Sequence, residues 1–295
     1  MTAGIAAAEV TFSGTANFGY NDTDHTNGAS ASNPFSDMDL NIAFSKELDN
    51  GYTAAASVEL DYADGNQGND ITATDALISL TNADSGIHYG DTKHAAENAW
   101  SSVGSMDNDA FRAADGEMVT RADMTLGGAK VSVSLGDDTN LTTATPPGTE
   151  TDYMSLGITG TAGAFTYALA AQNANTAWLD NDDNTAASQL STTGVRVSTT
   201  WGGATVALGH STNNNGGSTG VEVSYPMGAL TTTASYVAED ATGAKANWDV
   251  KVVYAEGAMG VTVATDESDD WNVDVSYDMG NGMNLFVGAD DGGKD

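Results

Sequence analysis

From Glu9 onward, apolar residues recur at every second position over short segments, and each segment keeps one parity. Val10, Phe12, Gly14, Ala16, Phe18 and Tyr20 alternate with Thr11, Ser13, Thr15, Asn17 and Gly19. A period of two predicts strands with one apolar and one polar face. Met38, Leu40, Ile42 and Phe44 continue the pattern, turn at 47–51, and return through Tyr52, Ala54, Ala56, Val58, Leu60 and Tyr62. The same hairpin module recurs to the end of the chain. Ala122, Met124 and Leu126 turn at Gly127-Gly128 into Val131, Val133 and Leu135. Val195, Val197 and Trp201 turn at Gly202-Gly203 into Val206 and Leu208, and Trp271, Val273, Val275 and Tyr277 turn at 280–282 into Met283, Leu285 and Val287. Altogether the pattern predicts about seventeen strands, with ends uncertain by a few residues.

The connections alternate as well. Short turns bearing glycine close each hairpin, whereas the links between hairpins, at 21–37, 61–70, 137–152, 173–193 and 213–219, are expected to be longer and are rich in Asp, Asn, Thr and Gly. Aromatic residues gather at both strand ends. Phe44, Tyr52, Phe165, Trp201, Tyr225, Tyr254 and Tyr277 stand beside short turns, while Tyr20, Tyr62, Tyr89, Tyr153, Tyr236, Trp248 and Trp271 stand beside long links. Two aromatic girdles, unequal loops and alternating strands of about ten residues together describe an all-β, antiparallel up-and-down transmembrane barrel.

Composition narrows the functional classes. Lys and Arg number 9 against 41 Asp and Glu, for a formal net charge of −32, which excludes nucleic acid as a partner and makes any lumen or surface repel anions. Cysteine is absent, so disulfides, thiolate catalysis and cysteine-held metals are excluded. No apolar run reaches the roughly 18 residues of a membrane helix, so a membrane-spanning form must be a closed barrel. His25, His88, His94 and His210 lack zinc-site spacing, and no nucleophile elbow, phosphate loop or dinucleotide fingerprint is present. Nothing nominates an enzyme or an obligatory cofactor.

One stretch departs from the alternation. Asp91–Val119, DTKHAAENAWSSVGSMDNDAFRAADGEMV, is a long polar insertion between two strands, a length that is usually functional or disordered. It carries Asp91, Glu97, Asp107, Asp109, Asp115 and Glu117 with Lys93 and Arg112. It is expected to fold into the lumen and narrow it; a solvated surface loop is the alternative. Parity assigns the wall around it. If Ala122, Met124 and Leu126 face lipid, then Arg121 and Asp123 face inward, as do Lys130, Arg196, Asp249 and Lys251 by the same rule. A charge facing lipid at mid-bilayer would cost roughly 2–4 kcal/mol.

At the ends, residues 1–8 have the small-residue pattern of a residual signal-peptide tail, with an ordinary N-terminal extension as the alternative. The barrel is expected over 9–295, with the final strand missing after the polar segment 290–295.

The chain resembles the general porins of Gram-negative bacteria, most closely those of purple photosynthetic and related alphaproteobacteria. The resemblance is carried by the start Glu9-Val-Thr-Phe-Ser-Gly14, by Leu77-Ile-Ser-Leu80 through Ile87-His-Tyr-Gly-Asp91 into the acidic loop, and by hairpin ends such as Val275-Ser-Tyr-Asp-Met-Gly280. It implies a homotrimer of barrels in the outer membrane, in contact with its lipid and lipopolysaccharide, each barrel narrowed by an inward third loop at 91–119. It also implies a basic wall cluster facing an acidic loop. Here that would set Arg112, Arg121, Lys130 and Arg196 against Asp91, Glu97, Asp107, Asp109, Asp115 and Glu117. Two departures stand out: this chain lacks the terminal aromatic residue of the family's last strand, and its predicted strands with a final one added make eighteen against the family's sixteen, so the resemblance implies a barrel of sixteen to eighteen strands. With carboxylates in such excess, the expected activity is passive, weakly cation-selective diffusion of ions and small hydrophilic solutes. Calcium is a candidate ligand where carboxylates converge, at Asp107 and Asp109 or at Asp180, Asp182 and Asp183. The rival from another class is a secreted, acidic, calcium-binding β-protein, such as an adhesin or surface-layer module.

Overall fold

The computed structural model describes residues 9–21, 33–63, 71–111, 118–137, 152–174, 191–240 and 244–290. Within them the chain forms seventeen strands and one short helix. The first strands are β1 (Glu9–Asn21), β2 (Asn33–Glu47), β3 (Thr53–Ala63), β4 (Ile71–Thr81) and β5 (Ser85–Gly90), followed by α1 (Ala95–Ala99). Then come β6 (Met118–Leu126), β7 (Ala129–Asp137), β8 (Asp152–Ala162), β9 (Phe165–Ala174), β10 (Thr192–Trp201) and β11 (Ala204–Asn213). The last are β12 (Gly216–Met227), β13 (Leu230–Glu239), β14 (Asn247–Glu256), β15 (Met259–Asp266), β16 (Trp271–Gly280) and β17 (Met283–Asp290).

Each strand pairs antiparallel with the next, from Glu9↔Ser45 at the start to Asn272↔Asp290 at the end, which makes one continuous up-and-down sheet. Among the described residues β1 and β17 do not pair with each other, so the sheet stays open at that seam. The predicted turns recur where glycine marks them: Leu126 pairs with Ala129 across Gly127-Gly128, and Trp201 with Ala204 across Gly202-Gly203.

Burial along the strands is inverted relative to a water-soluble protein. On β7, Val133 and Leu135 are 48% and 58% exposed while Ser132 and Ser134 between them are 3% and 2% exposed. Leu208 on β11 is exposed beside buried Ala207, and Trp201 and Leu285 are also exposed. An apolar outer face of this extent is costly in water and ordinary in lipid. It is the physical observation that opposes the secreted, soluble alternative.

Two local features differ from the reading of the sequence. The link 213–219, expected as a long loop, is a tight turn: β11 and β12 pair as far as Asn213↔Gly216. Its Asn content builds that turn, since the Asn213 Oδ1 accepts the N–H of Asn215 at 2.8 Å. On β4 an extra residue is inserted between Val58↔Ala76 and Leu60↔Ala73, and this bulge moves the apolar set from odd positions, Ile71 and Ala73, to even ones, Ala76, Ile78 and Leu80. Residues 1–8 and 291–295, and with them the expectations about both ends, lie outside the described residues.

Candidate functional site

The segment after β5 turns inward at Gly90. Its φ of +125° is open to glycine, and a side chain there would strike the Ala76 carbonyl oxygen, which instead accepts the N–H of Asp91 at 2.9 Å. Five residues on, α1 lies against the inner faces of β7, β8 and β9. Alanine favours this helix, yet it is too short to stand alone and its residue before the first turn, His94, supplies no side-chain cap. The wall supplies one instead. The Ala95 N–H donates to Ser134 Oγ at 2.9 Å and the Ala96 N–H to Ser155 Oγ at 3.1 Å, and the two hydroxyls lie 2.8 Å apart. Both are buried, as are Ala95, Ala96 and His94. Free N–H groups of a helix start need such partners when removed from water.

Beyond α1 the loop continues across the wall. Val103 and Met106 form an apolar cluster with Ala207 of β11 and Val237 of β13, and Trp100 packs on it. Each large aliphatic side chain buried there contributes about 1.5–3 kcal/mol. The Trp100 and Phe111 rings lie 5.5 Å apart at 54°. This compact apolar cluster therefore sits on the inner face of the sheet, between loop and wall.

Polar contacts hold the far end. Ser105 Oγ donates to Asp249 Oδ2 at 2.9 Å, and Asn247 Nδ2 donates to the Ser105 carbonyl at 2.9 Å. The Glu239 carboxylate accepts the Asp107 N–H at 3.1 Å, Asn108 Nδ2 at 2.9 Å and Ser218 Oγ at 2.5 Å. Thr192 Oγ1 of β10 donates to the Ala110 carbonyl at 2.9 Å. Residues 91–111 thus span the inner wall from β6 to β14.

The sequence-predicted residues fall into three groups. Asp91, Glu97, Asp107 and Asp109 all lie on the loop, but Asp109 turns back to accept Trp100 Nε1 at 2.9 Å and the Ser102 hydroxyl, and Glu97 lies 3.6 Å from Lys93. Arg121 is buried beneath the loop entry: its Nη1 donates to the Lys93 carbonyl at 2.7 Å and to Thr92 Oγ1 at 3.1 Å, and its Nε to Asp123 Oδ1 at 3.2 Å. Lys130 follows on β7, and Arg196 on β10 reaches Ser198 Oγ at 3.4 Å while its buried Nε has no partner among the described residues. Arg121, Lys130 and Arg196 therefore belong to strands within the loop's span. Arg112, Asp115 and Glu117 lie outside the described residues. Among the described residues no group of three His, Cys, Asp or Glu side chains converges as a metal site, at Asp107 and Asp109 or elsewhere.

Reading the sequence alone misses the anchoring residues His94, Asn108 and Glu239 and the apolar pair Val103 and Val237. It also misses that His88 of β5 meets Asp123 at 3.3 Å on the same inner wall. Farther along the same inner face, Asp39 pairs in register with Asp61 and Asn41 with Glu59, all on the polar parity of β2 and β3, and Thr15 Oγ1 donates to Asp39 Oδ2 at 2.8 Å.

This arrangement agrees with what the chain is similar to. A structure of a Rhodopseudomonas blastica porin variant superposes with a TM-score of 0.68 at 17% sequence identity, covering 96% of this chain and 100% of that one. A triple mutant of the same porin gives a TM-score of 0.67 at 16% identity with the same coverage. No curated protein sequence matches. The sequence model of the Gram-negative porins matches residues 1–294. An apolar outer face, a polar inner wall and a family match over nearly every residue lead to one assignment: the chain belongs to the Gram-negative porins, proteins of the bacterial outer membrane that let small solutes diffuse through a β-barrel.

Proposed function

We propose that the pore is narrowed by residues 91–119 and passes ions and small hydrophilic solutes passively, with a weak preference for cations and no coupling to energy. The observation that carries this reading is the different surroundings of the wall charges. Arg121 is buried under the loop and neutralised locally by Asp123, whereas Asp39, Glu59 and Asp61 occupy adjacent polar-face positions on β2 and β3. Asp249 and Asp266 are likewise direct neighbours across β14 and β15. Clustered carboxylates along a solvated passage raise the local cation concentration. Support for the narrowing role comes from the loop's seating along the wall from Arg121 to Asp249.

The same reading extends to assembly. Three copies associate as a homotrimer in contact with lipopolysaccharide, supported by membership of the family and by the apolar outer face. The test of the pore is the zero-current potential of the refolded chain in a planar bilayer under a potassium chloride gradient. Stepwise conductance with a potential of the cation sign is the expected result; a potential of the anion sign would overturn the assignment of selectivity, and a bilayer without steps would overturn the pore.

A further inference from the structure

Glycine weakens a strand and offers it no side chain to pack, so an inward glycine marks a place where something must come close. Five such glycines stand on five strands of the inner wall: Gly136 on β7, Gly157 on β8, Gly194 on β10, Gly209 on β11 and Gly220 on β12. What each would meet, if it carried a methyl group, is a consecutive piece of the loop. At Gly136 it is the His94 imidazole, and at Gly157 the Ala95 carbonyl oxygen together with Ala99 Cβ at 2.6 Å. At Gly194 the methyl would lie 2.5 Å from the Trp100 ring. At Gly209 it would lie 2.7 Å from Val103 Cγ2, and at Gly220 it would strike the Val103 carbonyl oxygen. The gap on β9 is filled by Ala170, buried and in register with both Gly157 and Gly194.

Among the described residues, inward glycines on β15 and β17 do not behave this way: Gly288 would meet Asp274 of the neighbouring strand. Gly260 on β15 would meet Ser276 of the next strand rather than the loop. The loop reciprocates once: Gly104, at φ +65°, would bring a methyl to 2.7 Å from Ser235 Cβ on β13.

We propose that Gly136, Gly157, Gly194, Gly209 and Gly220 form an oblique track that seats the loop against the wall and so sets the free width of the pore. These are positioning residues: they touch the loop, and the loop borders the permeating solute. A methyl group on the track lifts the loop toward the lumen axis and narrows the passage. The proposal rests on the reading of 91–119 as the constriction.

The two contacts with Val103 separate positioning from a general loss of stability, because Gly209 faces its side chain and Gly220 its carbonyl oxygen. Unit conductance of the full refolded chain in planar bilayers is the readout, since a merely destabilised barrel inserts less often without changing its unit step. Gly209→Ala and Gly220→Ala are each expected to lower the unit conductance. Adding Val103→Ala is expected to restore it for Gly209→Ala and not for Gly220→Ala. Val103→Leu, which leaves the wall untouched and adds bulk on the loop side, gives the same reduction and covers the case in which a glycine variant fails to fold. Unchanged conductance in the variants that insert, or equal rescue of both glycine variants, would overturn the track. A chain in which 95–111 is replaced by a short linker serves as reference. If its conductance exceeds wild type while the track variants match wild type, the track alone fails; if it equals wild type, the constriction reading itself fails.

Discussion

The guanidinium of Arg121 donates through Nη1 to the carbonyl oxygen of Lys93 at 2.7 Å, tying the wall of β6 to the backbone just ahead of α1. The same side chain is held by Asp123 and reaches Thr92. A charge on the wall of a pore is readily taken as part of its field; this one is buried and acts first as a clamp on the loop.

Replacing Arg121 by Met is therefore expected to loosen the loop entry. A hydrogen bond from a charged donor to a buried acceptor contributes about 1.5–3 kcal/mol, and stability toward denaturant in detergent should fall by that order. Open-channel noise should rise as the loop gains freedom. Arg121→Lys restores charge without the planar fork and is expected to recover only part of either effect. Unfolding midpoints and noise spectra identical to wild type would remove Arg121 from the anchoring role.

Glu239 is the counterpart at the far end of the loop, where one carboxylate takes three donors. Glu239→Gln places an amide donor against at least one of them and is expected to cost about 1–3 kcal/mol. The consequence should be local: amide hydrogen exchange at Asp107 and Asn108 accelerates while that of β7 and β8 stays as in wild type. Equal protection of Asp107 and Asn108 in the variant would contradict this anchoring.

The two faces of the wall make a matched pair for substitution. Leu208 on β11 is exposed on the outer face, and Glu222 on β12 lies on the inner parity, in register with Ala207 beside it. Leu208→Arg should lower stability in lipid by about 2–4 kcal/mol, the cost of a cation facing mid-bilayer. Glu222→Arg should leave stability nearly unchanged and shift the zero-current potential toward the anion side. A reversed pattern would mean that the parity assigns the faces wrongly.

The strands and their faces are legible in the sequence because each depends on local alternation, and a strand such as β7, with Val131, Val133 and Leu135 against Ser132 and Ser134, states both at once. The course of the loop is not, because its partners are remote: Asn108 and Glu239 are 131 residues apart, and Ser105 and Asp249 are 144 apart. Charge also misleads, since Arg121 reads equally well as a free wall cation and as a buried clamp. The turn at 213–219 is missed because Asn and Gly mark tight turns and long loops alike. One signal of the loop's path is present in the sequence all the same, in glycines placed at inward parity on β7, β8, β10, β11 and β12.

A cation preference that arises from wall carboxylates can be read from the zero-current potential of wild type beside Asp39→Asn/Glu59→Gln/Asp61→Asn in the same salt gradient. The wild-type potential should carry the cation sign and the triple variant should move toward zero with its unit conductance steps still present. A potential that does not change when the three carboxylates are neutralised would mean that they are not the source of the selectivity.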